Sequence, residues 1–334
     1  MSFKYINPGF IAFIGDTSQA TEFLGYQYSK TGVAFTQSNR YQSNGARGVY
    51  LPDFNSGDDF WAKFDFYMPR RTSGRSYTCC FIPNANTYGI YIDRDGSTVK
   101  VEFTYTMGNS HNTLATGSIT NGTVESNCGI KLNSINSVQM HVHYGAASSA
   151  YADICINNKK NFRSENYNNK AISYNANVFN KQCLFYTYSQ TSADDTPISN
   201  IILSNEEINI KETIIALPIS ANETDMTFDS DTGIYTANAA NQTLMSAVNT
   251  DYLVNEYGSD SAVTGIALIG NPAYKTANGL TSLTAQSKEN NVISDIETIS
   301  LDDDTSAMIL ASQKISNKTI TDLQNVQFGW KAGT

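Results

Sequence analysis

Apolar and polar positions alternate with period two through much of residues 1–210, the spacing of half-buried strands. In FWAKFDFYM, Phe60, Ala62, Phe64, Phe66 and Met68 share one face and Trp61, Lys63, Asp65 and Tyr67 the other, until Pro69 stops the run. GIYIDRDGSTVKVEFTYT predicts a hairpin: a strand starting at Ile90–Tyr91–Ile92, a turn at Asp93–Arg94–Asp95–Gly96, and a return through Val99, Val101, Phe103 and Tyr105. SVQMHVHY turns Val138, Met140, Val142 and Tyr144 inward and Gln139, His141 and His143 outward. AYADICINNKKNF, LFYTY and ISNIILSNEEI supply further strands. Short strands divided by turn signals predict an all-β fold, here a β-sandwich.

The remainder also reads as β. Strands are predicted at Thr213–Leu217, Met226–Phe228, Gly233–Ala237, Thr264–Ile269, Val292–Ser300 and Met308–Ser312, with Thr319–Trp330 for a last one. Asn241–Tyr257, with Leu244, Val248, Leu253 and Val254, has the spacing of a short helix or two turns. Charge divides the chain near Asn205–Leu217. Residues 1–210 hold 16 Lys and Arg against 16 Asp and Glu, whereas residues 211–334 hold 6 against 15. All cysteines and histidines fall in the first part. Two domains are therefore expected: a β-sandwich over 1–205 and a smaller, acidic β-sandwich over 213–334.

Composition narrows the function. Charged residues are only 16% of the chain, against about 25% in an average soluble protein, and 35 Asn, 20 Tyr and 16 Phe take their place. That aromatic content excludes a long disordered chain, and Asn, Thr, Tyr and Gly argue against a helical bundle. A net charge of −9 argues against nucleic acid as a partner. No apolar stretch nears the roughly 18 residues of a membrane span, so membrane insertion is not expected. The run Phe10 to Ile14 is too short for a secretory leader, so the chain is expected to stay where it is made unless a leader was removed. The five cysteines, Cys79, Cys80, Cys128, Cys155 and Cys183, are odd in number and lack a CxxC, which suits reduced core thiols. A surface of extracellular character without an export segment fits phage structural proteins, which assemble in a bacterial cytoplasm and act outside the cell. The alternative is a secreted bacterial protein.

The order of these elements resembles a known fold family. An aromatic alternating strand, the IYIDRDG hairpin, the ICINNKK turn and the closing PISNIILSNEEI strand together resemble a laminin-G-like (concanavalin A-like) jelly-roll sandwich over residues 1–205. The resemblance implies binding of carbohydrate or protein and, in some members, glycan cleavage. NQTLMSAV, GIALIGNPAYKTANGL and DLQNVQFGWKAGT resemble the end domains of prophage tail proteins.

Candidate sites follow from residue type and face. His141 and His143 point the same way and could offer two imidazoles to zinc or nickel, with any third ligand coming from a neighbouring strand; otherwise they are a polar strand face. Asp93 and Asp95 with Gly96, Asp229 and Asp231 with Gly233, and Asp302–Asp303–Asp304 could offer oxygens to calcium, which the family resemblance also suggests for the first turn. Asp-Gly is equally what a hairpin turn uses for backbone reasons. Trp61, Tyr67, Tyr186 and Tyr188 could form an aromatic face on which sugars stack, with Arg70, Arg71 and Arg75 as donors to an acidic glycan or carboxylate. No Glu-x-Asp-x-x-Glu strand, GxSxG, HExxH or P-loop is present, so no catalytic residues are assigned and no enzyme is expected. The reading is a non-catalytic phage tail or virion-surface component, located in the virion. Its expected partners are a bacterial surface glycan or receptor, other tail or virion proteins, and a second copy of itself. The alternatives are a secreted carbohydrate-binding or adhesion protein, or a glycan-cleaving enzyme of the concanavalin-like fold.

Overall fold

An alternating strand has one apolar side to bury, and two sheets of such strands can bury their sides against each other. The computed structural model realises this arrangement. It describes residues 4–7, 20–23, 32–35, 47–50, 53–68, 75–81, 88–105, 111–120, 123–125, 128–132, 134–146, 148–165, 182–189, 198–212, 214–215, 217, 219–273, 279–301 and 307–334. Chain contacts form two units, one spanning residues 7–213 and the other 214–334 together with residues 3–6. Among the described residues no helix is long and apolar enough to cross a membrane.

The strands, in chain order, are β1 (Lys4–Asn7), β2 (Ala20–Phe23), β3 (Gly32–Phe35), β4 (Arg47–Tyr50), β5 (Asp59–Met68), β6 (Arg75–Phe81), β7 (Tyr88–Asp95) and β8 (Thr98–Tyr105). They continue as β9 (His111–Thr120), β10 (Thr123–Glu125), β11 (Ser134–His143), β12 (Tyr151–Ile156), β13 (Lys160–Glu165), β14 (Gln182–Ser189) and β15 (Ile198–Ser204). In the first unit one sheet runs β13-β12-β11-β5-β15-β3-β2 and the other β10-β9-β8-β7-β6-β14-β4. Phe60, Ala62, Phe64, Phe66 and Met68 of β5 are buried, as are Val138, Met140 and Val142 of β11. The second sheet meets them with Cys80, Ile90, Ile92, Val99, Val101, Phe103 and Phe185. Phe64 and Phe185 touch edge to face, ring centroids 5.7 Å apart. Each such side chain removed from water contributes about 1.5–3 kcal/mol.

Two details of the first unit differ from the sequence pattern. The hairpin turns at Gly96–Ser97, not at Asp93–Gly96, because Asp93 and Arg94 stay in the ladder opposite Lys100 and Val99. A two-residue turn is enough to reverse the chain there. The closing strand also ends early, at Ser204. The chain then folds back over the outside of the first sheet, burying Ile208 and Ile210, and the Gln139 side-chain amide donates to the Ile208 carbonyl.

Seven of the 35 asparagines have a backbone role. Every described non-glycine residue with positive φ is Asn: 157, 158, 200, 241, 290, 291 and 317. Asn adopts this left-handed region more readily than other side chains do. Asn157, in the turn between β12 and β13, also anchors its surroundings. Its side-chain oxygen accepts from the Ser137 N–H at 2.9 Å, and its amide donates to the Gly129 carbonyl at 2.8 Å and to Asn136 Oδ1 at 2.9 Å.

The second unit contains β16 (Ile219–Thr224), β17 (Thr227–Asp229), β18 (Ile234–Thr236), β19 (Thr243–Val248), helix α1 (Asp251–Tyr257), β20 (Ala262–Ala273), β21 (Ser282–Glu289), β22 (Val292–Ser300), β23 (Ala307–Thr319) and β24 (Val326–Gly333). A five-stranded sheet, β16-β19-β24-β21-β22, packs against the β20-β23 pair through Leu268, Ala285 and Ala311, with Ile266, Ile296, Ile299, Phe328 and Trp330 around them. Helical spacing misled over Asn241–Tyr257. Its first part is β19, paired on both sides by β16 and β24, so only Asp251–Tyr257 remains helical. The strand expected over Thr213–Leu217 is absent from the described residues there, and β16 follows it instead. At Gly329 the β24 backbone lies so close to β19 that an added Cβ would sit 1.8 Å from the Leu244 carbonyl oxygen.

Asn157→Ala should lower the stability of the chain by about 2–4 kcal/mol, through unmade hydrogen bonds and a left-handed backbone without its favoured residue. Asn157→Gly should cost less, since only the hydrogen bonds are lost. Denaturant unfolding of the two variants checks the order; equal losses would show that φ contributes nothing.

Candidate functional site

Four neighbouring strands, β5, β11, β12 and β13, bring their outward positions into two rows. Trp61 pairs across with His141, His141 with Asp153, and Asp153 with Arg163. Asp59 pairs with His143, and His143 with Tyr151. The inward neighbours Phe60, Val142, Ala152 and Ile154 are buried, which fixes the phase and turns these seven residues outward. Asp59 is placed by the loop before it. The Gly57 N–H donates to the Tyr144 carbonyl at 2.8 Å and the Tyr144 N–H to the Asp58 carbonyl at 3.0 Å. Gly57 has φ +95°, a conformation that favours glycine. Tyr144 is itself held by stacking on Phe54.

Rings and charges interlock across the rows. The Trp61 indole lies flat on the His141 imidazole, centroids 4.0 Å apart and planes 2° apart. His143 stacks on Tyr151 at 5.2 Å, and the Arg163 guanidinium carbon sits 4.4 Å from the Tyr151 ring centre. Asp59 Oδ1 accepts from His141 Nε2 at 2.7 Å and from His143 Nδ1 at 2.9 Å. Arg163 grips Asp153 with two hydrogen bonds, Nε to Oδ1 at 2.6 Å and a terminal nitrogen to Oδ2 at 2.7 Å. Partial burial pushes the Asp59 carboxyl up, but the hydrogen bonds from His143 and His141 and the charge on both rings outweigh it and hold it below its ordinary range. The cluster remains open to solvent: the side chains of Asp59 and Arg163 are 41% and 51% exposed, and Trp61 and Tyr151 are half-buried.

The rest of the β5 outer face is closed. Lys63, 2% exposed, pairs with Asp65 at 3.2 Å, and Asp65 also accepts from Ser137 Oγ and the Asn200 side-chain amide. Tyr67, expected outward with Trp61, is only 8% exposed and offers no ring face to a ligand. The segment that folds back over the sheet through Ile208 and Gln139 seals its centre. Arg70 and Arg71 lie outside the described residues. Of Arg75, Tyr186 and Tyr188 only the backbone is described: Arg75 pairs with Asp95, Tyr186 with Cys79, and Tyr188 with Tyr77.

Among the described residues no three of His, Cys, Asp and Glu are placed to share a metal ion, and the two histidines both turn to one carboxylate oxygen. Asp93 is buried in β7 while Asp95 is exposed beside the turn. Asp229 and Asp231 belong to a hairpin turn. There Asp229 accepts from Thr232 Oγ1 at 2.8 Å and, as in an Asx-turn, from the Asp231 N–H at 2.9 Å, so its carboxylate serves the turn. Asp302, Asp303 and Asp304 lie outside the described residues.

No protein-family model matches the chain, and no curated protein matches it in sequence. Similar solved structures include an engineered GH43 glycoside hydrolase with endo-xylanase and exo-arabinofuranosidase activity, at 9% identity and TM-score 0.42. That match covers 62% of this chain and 41% of the hydrolase chain. The endo-β-1,4-glucuronan lyase of Trichoderma reesei matches at 8% identity over 61% of this chain and 99% of its own, TM-score 0.36. The carbohydrate recognition domain of Emp46p matches at 10% over 61% and 97%, TM-score 0.35. The first unit is an all-β sandwich of two antiparallel sheets.

Sequence reasoning found Trp61, His141 and His143 but missed Asp59, Tyr151, Asp153 and Arg163. Alternation alone places Asp59 on the Trp61 face and Tyr151 and Asp153 opposite Ala152 and Ile154. Which strands lie side by side was the missing fact.

Because its folded-state value lies below the unfolded one, ionised Asp59 stabilises the fold above the ordinary carboxylate range, near pH 4, and that stabilisation is lost as pH falls through the folded value. Asp59→Asn should cost about 1 kcal/mol near neutral pH, after discounting for exposure, and flatten the acid side of the stability profile. Unfolding midpoints of both proteins between pH 3 and 7 check this; parallel profiles would contradict it.

Proposed function

We propose that the first unit binds a bacterial surface glycan, without cleaving it, on the platform formed by Trp61, His141, His143, Tyr151, Asp153 and Arg163. The observation that carries this reading is a cluster of half-buried rings and fixed polar groups that stays open to solvent beside the closed part of the β5 outer face. Rings offer the C–H faces of a sugar a surface, and Asp59, Asp153 and Arg163 offer acceptors and donors to its hydroxyls. Their mutual hydrogen bonds hold them in place before any ligand arrives, which lowers the ordering cost of binding. A virion-surface or tail component facing a bacterial host is the setting we infer, from the tail-protein resemblance of the second unit and its acidic charge. Other virion proteins and a second copy of the chain are its proposed partners.

A second reading, glycan cleavage, is favoured by one register. Asp93 and Glu102 lie on adjacent strands, β7 and β8, on the side away from the core, in diagonal positions because Asp93 pairs with Lys100. Diagonal strand positions stand about 7–8 Å apart, which lets two side chains on one face bring their carboxyl groups into the roughly 5–9.5 Å range of glycosidase pairs. Both are buried, and Glu102 accepts from Thr113 Oγ1 at 2.9 Å.

The test is binding of the purified chain to a panel of bacterial surface glycans. Trp61→Ala and Tyr151→Ala should each weaken binding by about 5- to 150-fold, as expected for ring contacts of about 1–3 kcal/mol. A chelator should leave binding unchanged. Undiminished binding by both variants would remove the platform. Release of new reducing ends by the native chain, abolished in Glu102→Gln, would replace binding with cleavage.

A further inference from the structure

The core face of the second sheet holds two thiols in contact. Cys80 on β6 and Cys183 on β14 are both fully buried, and their sulfurs are 3.6 Å apart. Their strands are paired, with Cys80 opposite Phe185, so Cys183 occupies the diagonal position on the same face. A disulfide needs the sulfurs to approach to about 2.05 Å, a further closure of roughly 1.5 Å that also draws the two strands together, since diagonal neighbours stand about 7–8 Å apart and bridged Cα atoms about 5.5–6 Å. The other described cysteines are placed differently: Cys128 is buried with its sulfur on the Val99 carbonyl at 3.6 Å, and Cys155 lies on the outer face of β12.

We propose that Cys80 and Cys183 form a disulfide when the chain meets an oxidising environment, tying β6 to β14 near the β4 edge of the second sheet. The oxidant is a second disulfide, such as glutathione disulfide. One thiolate attacks it to give a mixed disulfide and one glutathione thiol. The other protein thiolate then displaces the second glutathione. Two protein thiols thus give up two protons and two electrons, and one glutathione disulfide becomes two thiols. Burial pushes the Cys183 thiol well up, and the neighbouring Cys80 thiol adds to the shift. The thiolate needed for exchange therefore forms while the sheet is open, during folding or transient unfolding. The bridge joins residues 103 apart in sequence, so it restricts a large loop of the unfolded chain. In a reducing cytoplasm the same pair remains two packed thiols.

The full chain, reduced and unfolded, is refolded by dilution into glutathione buffers of graded ratio, trapped with an alkylating agent, digested and mapped by mass spectrometry. The expected product is a cross-linked peptide pair joining Cys80 to Cys183, with an unfolding midpoint several degrees above that of the reduced protein and returned by reductant. Cys80→Ser and Cys183→Ser should abolish both effects, while Cys79→Ser should retain them. If a serine variant fails to fold, the map of the native chain decides alone. Alkylation of all five thiols at every ratio, or a bridge through Cys79 or any other cysteine, would overturn the proposal. So would an unfolding midpoint indifferent to reductant.

Discussion

The burial of one face of β5 against the second sheet sets the terms for the rest of the first unit. Phe60, Ala62, Phe64, Phe66 and Met68 can lie in the core only if Asp59 and Trp61 face away from it. The same phase passes through the ladders to β11 and β12, where Val142, Ala152 and Ile154 turn His141, His143, Tyr151 and Asp153 to the same side. A slip of one residue in any of these strands would bury the site and expose the core. The platform is thus positioned by apolar packing behind it and only trimmed by its own hydrogen bonds.

How much of this was legible in the sequence depended on the range of the interaction involved. Period-two alternation is local, so the inward faces of β5 and β11 and the outward Trp61, His141 and His143 could be read directly. Strand adjacency is not local. Nothing in AYADICINNKKNF announces that Tyr151 will lie against His143, or that Arg163 will grip Asp153. Coverage of an outer face is equally remote: Tyr67 has the alternation of an exposed residue and is buried all the same. In the second unit, TLMSAV carries helix-compatible spacing but is drawn into the middle of a sheet by partners on both sides. The asparagine count was visible as a number, whereas the left-handed backbone that seven of the 35 adopt appears only with the φ angles.

Function separates from fold at the same point. A two-sheet sandwich presents two outer faces, and the chemistry differs between them. On one, half-buried rings and paired charges reach solvent and are already mutually satisfied. On the other, Asp93 and Glu102 are withdrawn from solvent. Fold likeness does not choose between these faces; solvent access to the rings and charges of the first favours it as the proposed binding face.

The most direct test of the platform is to follow the two indole N–H signals by NMR while a bacterial surface glycan is titrated into the chain. Trp61 stands on the platform of the first unit, whereas Trp330 packs beside the core of the second. Binding on the platform predicts a saturable shift of the Trp61 signal with Trp330 unmoved. A glycan that binds the chain while the Trp61 signal stays fixed would contradict it.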